Sequence, residues 1–483
     1  MKKVRILLLF IVSIGTFLVV YSPHFNYPFP SHIDEWHHIS ESIRLQTGEY
    51  HRGVSAYRIG FQIFLFLLSK FSNLVLIYQF LPASWSVLSG LLLFYLVYKK
   101  TDKQFFTGLF AMLFFASLKS NVNITGLWFF TPLTFSIPFI YLYVFLYTEG
   151  AEKQKKSYIV ASIAIMLLLL FTHAISVLFA VLFLGIYTFM NIEYFKKERV
   201  FLLYFLIVAV AGTLFYKVMT QLSWTSLISN LINSLQFKYG WGVLELKNSF
   251  YELYSFAGYV FAGIGLLFVI KDKGRIKKYS AYVLWPITVI AMIFFYRKTN
   301  VSYLSPYQRN LYYYAISLPF LSAMGLTYTL SIIKEKILDK IKPARIKTAI
   351  LYSVVFSVLV SSVALAAFKS YWYIPKNIDL YRVINNDDYQ AILFLSTIPE
   401  KAVVMAVPSM SVAIYPISQH NPVATFFFYG NRKDAELFFR ADNCDVREKL
   451  IDKHNVKYVL SSFPMECGWK LIYDMKRYIY EVK

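Results

Sequence analysis

The sequence predicts a multi-pass α-helical membrane protein that carries a small extracytoplasmic α/β domain at its C-terminal end. Three observations carry this prediction. Of 483 residues, 57% are hydrophobic and only 16% charged, where an ordinary soluble domain has about a quarter charged. Mean hydropathy is +0.50. Apolar runs longer than any core strand recur to about residue 370, and the pattern then changes to short alternating segments.

The first run, Ile6–Tyr21, follows Lys2, Lys3 and Arg5. No small-x-small cleavage site follows it and many further runs do, so it reads as a retained first helix and not as a signal peptide. Further runs cover 76–98, 104–118, 126–148, 157–172, 174–190, 200–219, 254–270, 279–296, 310–331 and 348–368. Together they make about eleven spans. The stretch YRIGFQIFLFLLSK (57–70) is apolar but short, and reads as a re-entrant or interfacial helix.

Charge placement sets the sidedness. The net charge of +22 would suit nucleic acid, but the lysines and arginines sit in short clusters between apolar runs, as orientation signals do. The clusters KKTDK (99–103), EGAEKQKK (149–156), NIEYFKKER (191–199), KDKGRIKK (271–278) and KEKILDKIKPARIK (334–347) fall on one side. The facing loops are less basic: 119–125 holds only Lys119, and 297–309, with Arg297, Lys298 and Arg309, is the exception. The N-terminus is therefore expected in the cytoplasm. Loops 22–56 and 221–253 and the tail are expected outside. The expected division is a transmembrane domain of 1–370 and an α/β domain of 371–483.

In the tail, KAVVMAVPS (401–409) reads as a strand and turn, DVREKLIDKHN (445–455) as a helix, and VKYVLSS (456–462), KLIYD and YIYEV as strands. Residues 386–396 read as a capped, solvated helix that opens on Asp387 and Asp388. Cys444 and Cys467 are the two cysteines, and they either pair outside the cell or stay as buried thiols.

Four places carry residues suited to chemistry. PFPSHIDEWHH (28–38) sets Asp34 and Glu35 among His32, His37 and His38 at the start of an amphipathic helix, roughly 34–46. Ser31 or Asp34 is the expected cap, with Glu35 favoured by the positive helix end. The functional alternative is a carboxylate that accepts a proton from an incoming hydroxyl or helps hold a divalent ion. Asp34, His37 and His38 are the metal candidates, although their spacing is not that of a zinc site. NVNITGLWFFTPLTFSIPF (121–139) is an apolar run interrupted by Gly126, Pro132 and Pro138, with Lys119, Asn121 and Asn123 at its outer edge. His173 lies between two runs at the same face. SPYQRNLYYY (305–314) places Arg309 at the outer start of a span. There it either snorkels to lipid or clamps a phosphate. Tyr307, Tyr312, Tyr313 and Tyr314 form an interfacial belt or line a sugar pocket. In the outer loop 221–253, Glu245 and Glu252 are the acids.

Several segments resemble the GT-C superfamily of polytopic glycosyltransferases that use lipid-phosphate sugars, notably its archaeal and other prokaryotic members. They are HIDEWHHISESIRL, YRIGFQIFLFLLSK, TGLWFFTPLTFSIPF, THAISV, SPYQRNLYYYAISLPFLSAMG, NNDDYQAILFLSTIPE and HNVKYVLSS. The resemblance implies transfer of a sugar from a polyprenyl-phosphate donor to an extracytoplasmic glycan, lipid or protein acceptor, with inversion at the anomeric carbon. It implies membrane lipid as surroundings, no nucleic-acid partner, and a divalent metal ion in some members. Asp34, with Glu35 adjoining, matches the acidic position of the first outer loop. Arg309 matches the cation on the lipid-linked phosphate, and Lys119, His173, Tyr307 and Tyr313 are the further substrate-binding candidates. The chain departs from oligosaccharyltransferases in its small tail and in lacking a WWD-type motif and a first-loop DxD. A lipid or glycan flippase is the alternative reading, because broken spans also suit transport. A non-catalytic assembly protein is a third.

Overall fold

The computed structural model describes residues 2–50, 58–120, 125–196, 206–207, 209–210, 212–214, 217–218, 223–234, 236–238, 250, 253–336, 346, 353, 357, 381–426 and 430–482. The expected span at 348–368, most of 200–219, and Asn121, Asn123, Glu245 and Glu252 lie outside these residues. The chain divides into two compact units. The first is Met1–Pro23, Ala56–Phe61 and Phe80–Pro375; the second is His24–Ser55, Gln62–Gln79 and Lys376–Lys483.

The first unit is a helix bundle. Its helices are α1 (Lys2–Tyr21), α4 (Leu81–Lys100), α5 (Phe105–Ala116), α6 (Pro132–Lys153), α7 (Lys156–Met190), α8 (Phe256–Ile270), α9 (Lys273–Thr299) and α10 (Tyr307–Lys336). Helices α2 (Ile33–Thr47) and α3 (Ile59–Ser69) come between α1 and α4 in the chain. Among the described residues, Lys3–His24, Leu74–Lys100, Lys156–Met190, Lys273–Thr299 and Tyr307–Glu335 are long and apolar enough to cross a membrane. The 57–70 stretch forms the eleven-residue α3, the short helix that its length predicts.

Helix α7 looks like one 35-residue element, but His173 has φ −160° and ψ 79° inside it. Tyr143 of α6 donates to Met166 Sδ at 3.2 Å, and Tyr147, one turn on, bonds Thr188 at 2.6 Å. In an unbroken helix Met166 and Thr188 would lie about 33 Å apart. Both ends of α7 therefore meet the same half of α6, and the chain reverses at His173. The two spans expected at 157–172 and 174–190 are the two halves of this hairpin.

Close backbone packing holds other helices of the bundle. A Cβ on Gly265 of α8 would collide with the Leu321 carbonyl of α10, and one on Gly325 with the Phe261 carbonyl. Small residues permit this approach in a bundle where hydrophobic burial between helices drives little. At the lysine-rich side, buried Lys100 ends α4 and reaches Glu149 at 2.9 Å and Glu152 at 2.7 Å on α6. A buried ammonium needs such carboxylate partners.

The second unit joins α2 to the tail. The tail holds α11 (Asn386–Leu395), α12 (Arg432–Arg440) and α13 (Cys444–His454). Its strands are β3 (Val403–Met405), β4 (Asn421–Pro422), β5 (Val456–Ser461), β6 (Lys470–Asp474) and β7 (Tyr478–Glu481), in the order β4-β3-β5-β7-β6; β1 (Gln236–Lys238) and β2 (Val301–Tyr303) pair elsewhere. β3 runs parallel to β4 and β5, while β7 is antiparallel to β5 and β6. Met405, Phe438, Ile451, Val459 and Tyr480 belong to the core against this sheet. The expected helix at 445–455 appears as Cys444–His454, capped by Asn443. Asn385 and Asp388 form the capping box of α11, but Asp388 is buried against Arg477 and not solvated. Cys444 and Cys467 are disulfide-bonded, with Cα atoms 5.5 Å apart.

Long-range bonds tie the segment between α1 and the end of α2 into this unit. Tyr27 donates to the Ile384 carbonyl at 3.0 Å, and the Arg382 amide to the Ser31 carbonyl at 2.9 Å. Arg44, near the end of α2, is buried. Its guanidinium stacks 3.6 Å over the Tyr415 ring and donates to Asn421 Oδ1 at 2.9 Å. Gly48 then stops α2 in the left-handed conformation, φ 77°.

Candidate active site

In the second unit, candidate residues gather at the N-terminus of α2. Its cap is His32, whose Nδ1 accepts the Asp34 amide at 3.0 Å. An amide can only donate, so Nδ1 is unprotonated there and the ring proton sits on Nε2. Glu35 completes the capping box. Its Oε2 accepts the amides of Ser31 at 2.8 Å and His32 at 2.9 Å, and the side chain is fully buried. The expected caps, Ser31 and Asp34, are thus both replaced by His32. Histidine is not among the preferred cap residues, which is why the pattern concealed it.

Asp34 therefore stands one position inside the helix, with its side chain 25% exposed and a carboxylate oxygen 3.8 Å from His32 Nδ1. Trp36 anchors the turn by donating to the Pro30 carbonyl at 3.1 Å. His37 and His38 are buried, with ring centroids 5.3 Å apart. Asp34, His37 and His38 do not converge. Among the described residues no group of three or more His, Cys, Asp or Glu side chains is placed to hold a metal ion.

In the first unit, a cationic and aromatic cluster stands at the start of α10. Arg309 Nη1 donates to Thr125 Oγ1 at 3.3 Å. Thr125 has φ 65°, a conformation that β-branched residues avoid, and Gly126 follows at φ 98°. The turn is held by Thr134, whose hydroxyl donates to the carbonyls of Gly126 and Phe129 at 3.0 and 2.6 Å. Arg309 and Arg58 both lie within electrostatic reach of His173. His173 Nδ1 pairs with Ser176 Oγ at 2.7 Å, and Tyr313 OH lies 3.0 Å from Ser176 Oγ and 3.4 Å from His173 Nδ1. The Tyr313 ring stacks 3.8 Å from Phe179. The break in α7 thus delivers a histidine and a serine to the Arg309 helix.

Of the predicted residues, Arg309, His173 and Tyr313 come together here. Tyr307 turns to Arg297, whose Nε donates to its hydroxyl at 2.9 Å. Lys119 is buried and its amide bonds the Leu253 carbonyl at 3.1 Å. Sequence reasoning missed Arg58, Thr125 and Ser176. An arginine directly before an apolar half-helix, and a serine three residues after an interrupting histidine, were the signals available for two of them. Nothing in the sequence marks Thr125 as left-handed.

No family model and no curated protein matches the chain in sequence. Solved structures match its fold. The apo oligosaccharyltransferase of Archaeoglobus fulgidus superposes with a TM-score of 0.62 at 14% identity, over 95% of this chain and 69% of that one. The same protein in complex with zinc and sulfate gives 0.59 at 16% identity, over 94% and 68%. ArnT from Cupriavidus metallidurans, bound to undecaprenyl phosphate, gives 0.53 at 12% identity, over 98% of this chain and 97% of that one. The chain therefore shares its fold with these solved structures.

Proposed function

We propose that the chain is an inverting membrane glycosyltransferase that moves a sugar from a polyprenyl-phosphate donor to an extracytoplasmic acceptor. The observation that carries the reading is the end-to-end likeness to ArnT, a protein seen with undecaprenyl phosphate, covering 98% of this chain. The Arg309 cluster supplies the matching chemistry, a guanidinium beside a strained turn with a second arginine close to its histidine neighbour. No observation favours transport.

In this reading Asp34 accepts the proton of the acceptor hydroxyl as that oxygen bonds to the anomeric carbon. The bond from that carbon to the phosphate oxygen breaks, and its electron pair leaves on the lipid phosphate. Arg309 stabilises that developing charge, where preorganised donors contribute most. Glu35 and His32 fix the helix start that presents Asp34. His173, Ser176 and Tyr313 line the donor side, with Lys119 and Tyr307 as further substrate contacts. The described residues offer no three-donor metal set, and no step passes through a metal.

The proposed topology keeps the N-terminus in the cytoplasm and places domain 371–483, with the first outer loop, outside. The Cys444–Cys467 bridge supports this, because disulfides persist in oxidising compartments. The domain of 1–370 would hold the membrane spans. The test is release of labelled sugar from a polyprenyl-phosphate donor by the purified chain. Failure across dolichol- and undecaprenyl-type donors carrying different sugars, with a range of acceptors, would sink the assignment.

A further inference from the structure

Buried tyrosine hydroxyls in the bundle find partners. Tyr141 donates to the Ile316 carbonyl at 2.7 Å and Tyr143 to Met166 Sδ at 3.2 Å, while Tyr254 meets Ser322 at 3.1 Å and Tyr313 meets Ser176 at 3.0 Å. Tyr312 is different. Its side chain is fully buried, and among the described residues it is the one tyrosine whose hydroxyl oxygen is itself buried and has no hydrogen-bond partner. A buried hydroxyl left unpaired bears its full desolvation cost, so such a group calls for a cause.

Its position suggests one. Tyr312 follows Arg309 by three residues on α10, so the two share a face, with Tyr312 about one turn deeper. The Arg309 charge lies within electrostatic reach of the hydroxyl. A guanidinium has only donors, so it cannot accept the tyrosine proton. An anion drawn to Arg309 can accept from both. We infer that the Tyr312 hydroxyl donates to the phosphate group that binds at Arg309, which makes Tyr312 a substrate-binding residue that is complete only when the site is filled. This rests on the donor-phosphate reading above. It also assigns different work to neighbouring tyrosines: Tyr313 organises His173 and Ser176, while Tyr312 reads the ligand.

The inference links ligand occupancy to bundle stability. Removing the hydroxyl relieves an unmet group in the empty protein and deletes a contact in the filled one. The experiment is thermal unfolding and binding titration of the full chain in detergent, with a short-chain polyprenyl monophosphate and, separately, inorganic phosphate. Tyr312→Phe is expected to melt at or above the wild-type temperature without ligand, and to bind the lipid phosphate about tenfold more weakly. A parallel loss for inorganic phosphate supports recognition of the phosphate group itself, and a loss confined to the lipid form supports recognition of the headgroup with its chain in place. Tyr143→Phe, whose hydroxyl serves Met166, should bind as wild type does. Affinity of Tyr312→Phe within twofold of wild type overturns the inference while leaving the proposed function standing. Failure of the wild type to bind polyprenyl phosphate overturns the reading beneath it as well.

Discussion

The starts of α2 and α10 are both helix N-termini crowded with polar and charged residues, but they use them differently. At α2, His32 and Glu35 are engaged with backbone amides at 2.8 to 3.0 Å, in full burial or nearly so. At α10, Arg309 makes a long 3.3 Å contact with a strained Thr125, and the Tyr312 hydroxyl is unmet among the described residues. The first pattern builds a helix start; the second leaves the Tyr312 hydroxyl without a hydrogen-bond partner among the described residues. Asp34 stands between the two capping residues His32 and Glu35, with its side chain 25% exposed.

The contrast can be broken in order of expected effect. Arg309→Ala should reduce sugar transfer about 10²- to 10³-fold with little change in melting temperature, as loss of a preorganised electrostatic donor does. A variant that melts early would instead make Arg309 a structural residue. Replacing Cys444 and Cys467 together by serine should destabilise the second unit by about 2–5 kcal/mol. Limited proteolysis would register this as faster cutting within the tail. Glu35→Gln should cost about 1–3 kcal/mol, because the Ser31 and His32 amides lose a charged acceptor. That loss should appear in melting before it appears in the turnover of protein that remains folded.

The smallest effect concerns Asp434. Hydrogen bonding from Lys453, with His454 adding to it, holds its carboxyl below the ordinary 3.8 against a slight opposing effect of burial. A depressed folded value means the stabilisation is present above the unfolded value and fades as pH falls through the folded one. The melting difference between wild type and Asp434→Asn should therefore be small at pH 6 and fade as pH falls below the ordinary carboxyl value of 3.8. A difference that grows on acidification would reverse the sign.

What the sequence revealed follows from which interactions are local. Apolar length located the described helices that are long and apolar enough to cross a membrane. The interruption at His173 divided two expected spans at the residue where α7 reverses. Short alternating runs located β5, β6 and β7 closely. The helix at 33–47 was visible from its pattern, yet its cap was not, because His32 takes a role usually filled by Ser, Thr, Asp or Asn. Contacts between distant segments were invisible. Nothing near Arg44 announces Tyr415 or Asn421, and this is why the first outer loop was expected with the membrane spans when its contacts group it with the tail. In the tyrosine run 312–314, identical side chains differ only in what the fold puts opposite them. Sequence alone had no means to separate Tyr312 from Tyr313.

The most direct test of the central claim compares Asp34→Asn with Glu35→Gln in transfer of labelled sugar from a polyprenyl-phosphate donor, with melting temperature measured on the same preparations. The account predicts that Asp34→Asn loses about 10²- to 10⁴-fold in rate, as loss of a general base does, while melting as wild type does. Glu35→Gln should show the reverse, a lower melting temperature with transfer largely kept. Full transfer by well-folded Asp34→Asn would contradict the account.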